Sequence, residues 1–173
     1  DTWIRVDREL ILFGEYIPVE TDIQRANVAY FGTFGYELDL NKLTKEEQEA
    51  VKGQIAFMKE YRELLQFGTF YRLVSPFEGN ITCWMVVNEE QTEAIVGWYR
   101  TLSHVNMPYT RVRLHGLRPD LCYVEQNTEK SYYGDELMNI GLITSDGMSG
   151  QVEENAGEYG DFDSRLYVLK AVR

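Results

Sequence analysis

Two pairs of carboxylates stand at a spacing that could divide acid and base roles, Glu37 with Asp39 and Asp161 with Asp163. Such chemistry needs surroundings that push the two pKa values apart. Glu37 and Asp39 alternate at the end of an apolar run just before a helix, where acids ordinarily face solvent or cap amides. Asp161 and Asp163 flank Phe162 in an acidic stretch, and solvated charge is the plainer reading there. His104 and His115 fall on either side of a turn with no cysteine nearby, so they read as surface or structural histidines rather than metal ligands. No Gly-x-Ser-x-Gly elbow presents a nucleophilic serine, and no glycine-rich loop ending in Lys-Ser or Lys-Thr cradles a phosphate. Trp84, Trp98 and Tyr99 could stack on a sugar, but on alternating strands such rings more often fill a core. These patterns assign no catalytic, metal or cofactor-binding residue.

The elements that would carry any site divide into two kinds. Val28-Ala29-Tyr30-Phe31 runs apolar without alternation into Gly32-Thr33-Phe34-Gly35-Tyr36, the pattern of a strand buried on both faces, as parallel strands are. Thr44-Lys45-Glu46-Glu47 is a capping box, so a helix starts there. Val51, Ile55, Met58, Arg62 or Tyr61, and Leu65 recur at helical spacing, and the stripe of Val51, Ile55, Met58 and Leu65 is expected to pack on the sandwich or on a second copy. Gly68 is expected to end the helix in a left-handed cap. From Thr69 onward the period becomes alternating, and strands are expected near 69–75, 81–88, 93–101, 110–114, 121–126, 130–133, 136–143 and 164–171. That density of short strands is the spacing of an antiparallel sandwich. Residues 145–161 read as a long acidic loop, and Trp3-Ile4-Arg5-Val6 with Leu10-Ile11-Leu12-Phe13 as a short hairpin.

Composition narrows the function classes. The 173 residues carry 17 Lys+Arg against 28 Asp+Glu, a net charge of -11, which repels the phosphate backbone and disfavours a nucleic-acid partner. Hydrophobic residues at 44% are enough for a core, yet no apolar run approaches the length of a membrane span. Cys83 and Cys122 fall in separate strands and read as two free thiols of a reducing compartment, the cytoplasm. Asn80-Ile81-Thr82 matches the glycosylation pattern, a three-residue match that arises easily by chance. A start at Asp1, with neither Met nor a signal peptide, reads as a piece cut from a longer polypeptide.

The run from Asn27 to Leu40, NVAYFGTFGYELDL, resembles the end of the catalytic barrel of bacterial family 36 glycoside hydrolases, the α-galactosidases. Lys59-Glu60-Tyr61-Arg62, Gln66 to Leu73, Ser75-Pro76-Phe77-Glu78, Trp84-Met85-Val86-Val87, Gly134 to Asn139 and Ser164 to Val172 resemble the same family, in order. The resemblance implies a mainly β chain, with an antiparallel β-sandwich over 69–173 preceded by the last strand-helix unit of a (β/α)8 barrel over 26–68. Within that unit it puts the eighth barrel strand at 28–38, and it leaves 1–25 unassigned.

It further implies that the intact enzyme cleaves terminal α-galactosides such as melibiose and raffinose with retention, using two carboxyls about 5 Å apart. Both catalytic aspartates belong to motifs upstream of everything matched, so no catalytic residue carries over and the chain alone is expected to be inactive. What carries over is positional. Thr33, Phe34 and Tyr36 lie toward the C-terminal end of a barrel strand, the face where such barrels bind substrate. The expected partners are the remainder of the barrel, the α-galactoside and further copies of the chain; no cofactor is expected. The alternative is a carbohydrate-binding or interaction module that reuses the sandwich.

Overall fold

The computed structural model describes residues 26–36, 40–102, 110–145 and 162–172. The hairpin expected within 1–25, the carboxylates of Glu37, Asp39 and Asp161, the imidazole of His104 and the loop over 146–161 lie outside the described residues. The chain divides into two compact units, Asp1–Gln66 and Phe67–Arg173.

In the first unit, the strand expected over 28–38 is not formed in its described part. Residues 26–29 make a helical turn, residues 30–32 close it, and 33–36 are irregular. The Tyr30 amide donates to the Ala26 carbonyl at 3.0 Å and the Gly32 amide to Ala29 at 3.0 Å. The physical reason is that a short apolar run suits a buried helical turn as well as a buried strand, and the local bonds satisfy its backbone. A 3-10 turn at Leu40–Lys42 leads to the helix α1, Lys45–Phe67. Its start is the expected capping box, with the Thr44 amide donating to Glu47 Oε2 at 2.7 Å and the Glu47 amide to Thr44 Oγ1 at 3.2 Å. Along the predicted stripe Met58 and Leu65 are buried, while Val51 and Ile55 are half-buried. Gly68 does not take the left-handed conformation, since the described glycines with positive φ are Gly116 and Gly141. The next strand opens at Thr69, so Gly68 passes straight from helix to extended chain.

Among the described residues the second unit holds eight strands: β1 Thr69–Val74, β2 Ile81–Val87, β3 Glu93–Arg100, β4 Thr110–Val112, β5 Cys122–Glu125, β6 Ser131–Tyr133, β7 Leu142–Ser145 and β8 Asp163–Val172. Six form an antiparallel sheet in the order β1-β2-β3-β8-β5-β6, and β4 pairs with β7 in a separate antiparallel ribbon. The stretch expected as a strand over 136–143 is instead a helix, α2, Gly134–Asn139, followed by β7. Asp135 and Glu136 favour its first turn by complementing the helix dipole. Gly141, at φ 98°, releases the chain at its end, with its amide on the Glu136 carbonyl at 3.1 Å.

The core lies between the large sheet and the layer made by the ribbon and α2. Cys83, Met85, Val87, Val96, Trp98, Tyr123 and Leu169 from the sheet meet Val112, Leu114, Leu117, Leu137 and Leu142. Strand β3 sits between β2 and β8 and is buried along nearly its whole length. The β2–β3 loop is closed by Asn88, whose Oδ1 accepts from the Thr92 amide at 2.8 Å and the Glu93 amide at 2.9 Å. The buried Tyr123 hydroxyl ties this loop to the β4–β5 connection by donating to the Gln91 carbonyl and accepting from the Arg118 amide. Gln91 holds φ 57°, a left-handed conformation uncommon for a side-chain-bearing residue, and that bond helps to fix it there.

Both cysteines are free thiols, Cys83 wholly buried and Cys122 half-buried. Burial pushes the Cys83 thiol up to about 12. At pH 8 a disulfide reagent should therefore modify Cys122 first, with Cys83 reacting only as the sandwich opens, and peptide mapping would assign the two rates. Equal rates in the folded chain would contradict the packing of β2. The raised folded pKa also has a stability consequence. Its contribution is complete below the unfolded thiol value near 8.5 and is lost as pH rises through about 12.

Candidate functional site

The three positions singled out for the substrate face lie together in the first unit. Thr33 is exposed, while Phe34 and Tyr36 are half-buried. The Phe34 ring stacks on Tyr30 at 5.1 Å between centroids and meets Tyr36 edge-on at 5.4 Å. Tyr30 in turn touches Phe57 at 4.7 Å, and Phe57 touches Tyr61 at 4.7 Å. Contacts of this kind add to burial because ring edges and faces are oppositely polarised.

Helix α1 provides the support. Gln54, Phe57 and Tyr61 follow at three- and four-residue spacing, which places them along one face. Tyr36 donates its hydroxyl to Gln54 Oε1, and Tyr30 donates to the Gln54 main-chain carbonyl at 3.3 Å. Burial, followed by the neighbouring Tyr36, raises the Tyr30 phenol above the usual tyrosine range, so it remains a donor at neutral pH. Gln54 and Phe57 lie outside the stripe expected through Val51, Ile55, Met58, Arg62 or Tyr61, and Leu65. The signal available was the aromatic pair Phe57 and Tyr61, one turn apart.

Two described carboxylates of the second unit have structural roles. Asp163 lies 3.3 Å from Arg100, which is buried, and 3.7 Å from Arg165. Glu125, also buried, accepts from the Asn127 amide at 3.1 Å and from the Thr128 amide and hydroxyl at 2.8 and 2.6 Å, closing the β5–β6 turn. His115 is exposed and lies alongside the Tyr71 ring at 6.1 Å. Among the described residues no three His, Cys, Asp or Glu side chains gather into a metal-binding group.

The aromatic platform of the alternative reading is interior. Trp98 and Tyr99 are 1% and 5% exposed, so neither offers a ring face to a sugar, and Trp84 is half-buried against Tyr99 at 4.6 Å. Burial lifts the Tyr99 phenol above its usual range. Arg100 and Arg165 lie over the Trp98 ring at 5.6 and 5.8 Å. An open depression of about 350 Å³ lies elsewhere in this unit, lined by Phe67, Thr69, Tyr71, Val87, Asn88, Glu89, Gln91 and Gly116. The Asn88 amide there is committed to the loop, donating to Thr92 Oγ1 at 3.0 Å as well as accepting. No described helix is long and apolar enough to cross a membrane.

Comparison with known proteins places these features in a family. A family model described as "Glycosyl hydrolase family 36 C-terminal domain" matches residues 81–169, just over half of the chain, and one described as "Melibiase" matches residues 18–68. Alpha-galactosidase AgaA of Geobacillus stearothermophilus is 44% identical over 149 residues, covering 86% of this chain and 19% of that protein. The crystal structure of the family 36 alpha-galactosidase AgaB from the same organism superposes with a TM-score of 0.79 at 42% identity, covering 93% of this chain and 20% of that one. A variant of AgaA solved in complex with raffinose matches at 40% identity and a TM-score of 0.79, with the same coverage. The chain thus spans about a fifth of the length of the relatives it matches. The mainly antiparallel fold, the in-order motifs and these matches agree, and the chain belongs to glycosyl hydrolase family 36, with residues 81–169 corresponding to the family's C-terminal domain.

Proposed function

We propose that this chain is the C-terminal part of an α-galactosidase and that its sandwich buttresses a catalytic (β/α)8 barrel. The observation that carries the reading is the pairing of two matches in order, the "Melibiase" one ahead of the C-terminal-domain one, in a chain a fifth as long as its relatives. Residues 26–68 are the last strand-helix unit of the barrel and 69–173 the sandwich, with 1–25 unassigned.

The intact enzyme hydrolyses terminal α-galactosides such as melibiose and raffinose with retention, one carboxylate attacking the anomeric carbon while the other protonates the leaving oxygen. The complex of an AgaA variant with raffinose supports that substrate class. Both carboxylates are contributed from outside this chain, which is non-catalytic by itself, requires no cofactor, works in the cytoplasm and adds surface for contacts between copies of the enzyme. Thr33, Phe34 and Tyr36 face the sugar, the aromatic rings covering its apolar C–H surface. The vehicle for testing this is a hybrid, AgaA with its matching segment replaced by this chain. Phe34→Ala and Tyr36→Ala in the hybrid should each raise KM for raffinose about fivefold or more, the loss expected for about 1 kcal/mol of stacking. An unchanged KM in both would remove these residues from the sugar face.

A further inference from the structure

We infer that Gln54 is a positioning residue, whose side-chain oxygen sets the orientation of Tyr36 and through it the Phe34–Tyr36 pair. The inference rests on the reading that this pair faces the sugar. One helix residue holds two hydroxyls of the preceding loop at once, Tyr36 on Oε1 and Tyr30 on the main-chain carbonyl. A carbonyl already bonded within a helix keeps a second lone pair, so Tyr30 adds a bond without breaking the helix. The side-chain bond is separable from the main-chain one. A substitution at 54 that removes the side-chain oxygen and leaves α1 intact keeps the Tyr30 acceptor and deletes the bond to Tyr36.

The rings make that bond consequential. Tyr30 is pinned between Phe34 and Phe57, and Tyr36 meets Phe34 edge-on, so the row Phe57-Tyr30-Phe34-Tyr36 is anchored on α1 at one end by packing. At the other end the Gln54 oxygen returns Tyr36 to the same helix. The loop is therefore clamped at both ends onto one turn of helix, which Gln54 and Phe57 span. A floppy Tyr36 would have to be ordered at every binding event, and prior ordering lowers that cost. Gln54 thus acts on KM rather than on the chemical step.

Four variants of the hybrid test this: Gln54→Leu, which keeps the shape and removes the acceptor; Gln54→Glu, which keeps the acceptor; Tyr36→Phe, which deletes the donor; and Phe34→Ala. The expected result is a KM for raffinose about fivefold higher in Gln54→Leu and in Tyr36→Phe, no further rise when the two are combined, kcat within twofold, and recovery in Gln54→Glu. If Phe34→Ala raises KM while Gln54→Leu and Tyr36→Phe do not, the positioning role is wrong and the sugar-facing reading stands. If none of the variants moves KM, the sugar-facing reading fails and takes the inference with it. Should Gln54→Leu not fold, Tyr36→Phe, which removes a single oxygen, decides the question. In the 173-residue chain itself, the Tyr36 ring resonances should shift in Gln54→Leu and stay in place in Gln54→Glu.

Discussion

Raffinose or melibiose incubated with the purified 173-residue chain is expected to remain intact. A retaining glycosidase needs two carboxyls about 5 Å apart around the anomeric carbon, and the proposed account assigns both to the part of the enzyme that precedes this chain. Two of the acids serve the sandwich: Asp163 is paired with Arg100 and Arg165, and Glu125 holds the β5–β6 turn. Loss of the whole catalytic pair removes nearly all of a rate enhancement that in enzymes generally amounts to about 10⁶-fold or more. Galactose release measured by a coupled assay should therefore fall at the background of the buffer. Turnover that survives repurification and scales with the amount of chain would overturn the assignment of chemistry to another part of the enzyme.

A second large effect is expected at Gly134, in the sandwich. A methyl group added there would sit 2.0 Å from the Arg118 carbonyl oxygen and 3.1 Å from the Tyr123 ring. The carbonyl belongs to the backbone of a turn that is itself fixed, since the Gly134 amide donates to Leu121 at 2.9 Å and the Arg118 amide to the Tyr123 hydroxyl at 3.0 Å. Relief requires moving α2 away from the sheet, and Gly134→Ala should cost more than about 3 kcal/mol. For a domain of this size that lowers the melting temperature of the second unit by more than roughly 12 °C. Gly53→Ala is the contrasting case. Gly53 is exposed within α1 with no atom within 4 Å of the new methyl group, so the substitution should stabilise the helix by up to about 1 kcal/mol. Differential scanning calorimetry of both variants would read the two signs. A Gly134→Ala chain melting within a few degrees of the parent would mean that the α2 junction is looser than its geometry.

Which parts of this molecule can be read from its residues follows from where each element finds its partners. The capping box at Thr44–Glu47 is a local device, and its two reciprocal bonds form as the spacing predicts. Seven of the expected strands are found because alternation survives wherever one face meets the core, as on β2 and β5. Residues 136–143 misled because Leu137, Met138, Ile140, Leu142 and Ile143 crowd together, hiding a helix whose acidic first turn and final glycine were the better signal. The segment 28–36 failed for a different reason. Its short apolar run suits a buried helical turn as well as a buried strand, and Ala26, Ala29 and Tyr30 are buried in that turn. The aromatic cluster was half legible. Phe34 and Tyr36 came from the family resemblance, whereas Gln54 had no signal of its own, because a hydrogen bond from a loop to a helix side chain leaves no periodicity in either.

The hybrid enzyme bears most directly on the central claim. With the final fifth of AgaA replaced by this chain, the account predicts a folded protein that hydrolyses raffinose within about tenfold of the AgaA rate, a difference of about 1.4 kcal/mol in the barrier. A hybrid that is cooperatively folded, with the barrel portion intact by circular dichroism, yet releases no galactose would contradict the claim that this chain completes an α-galactosidase.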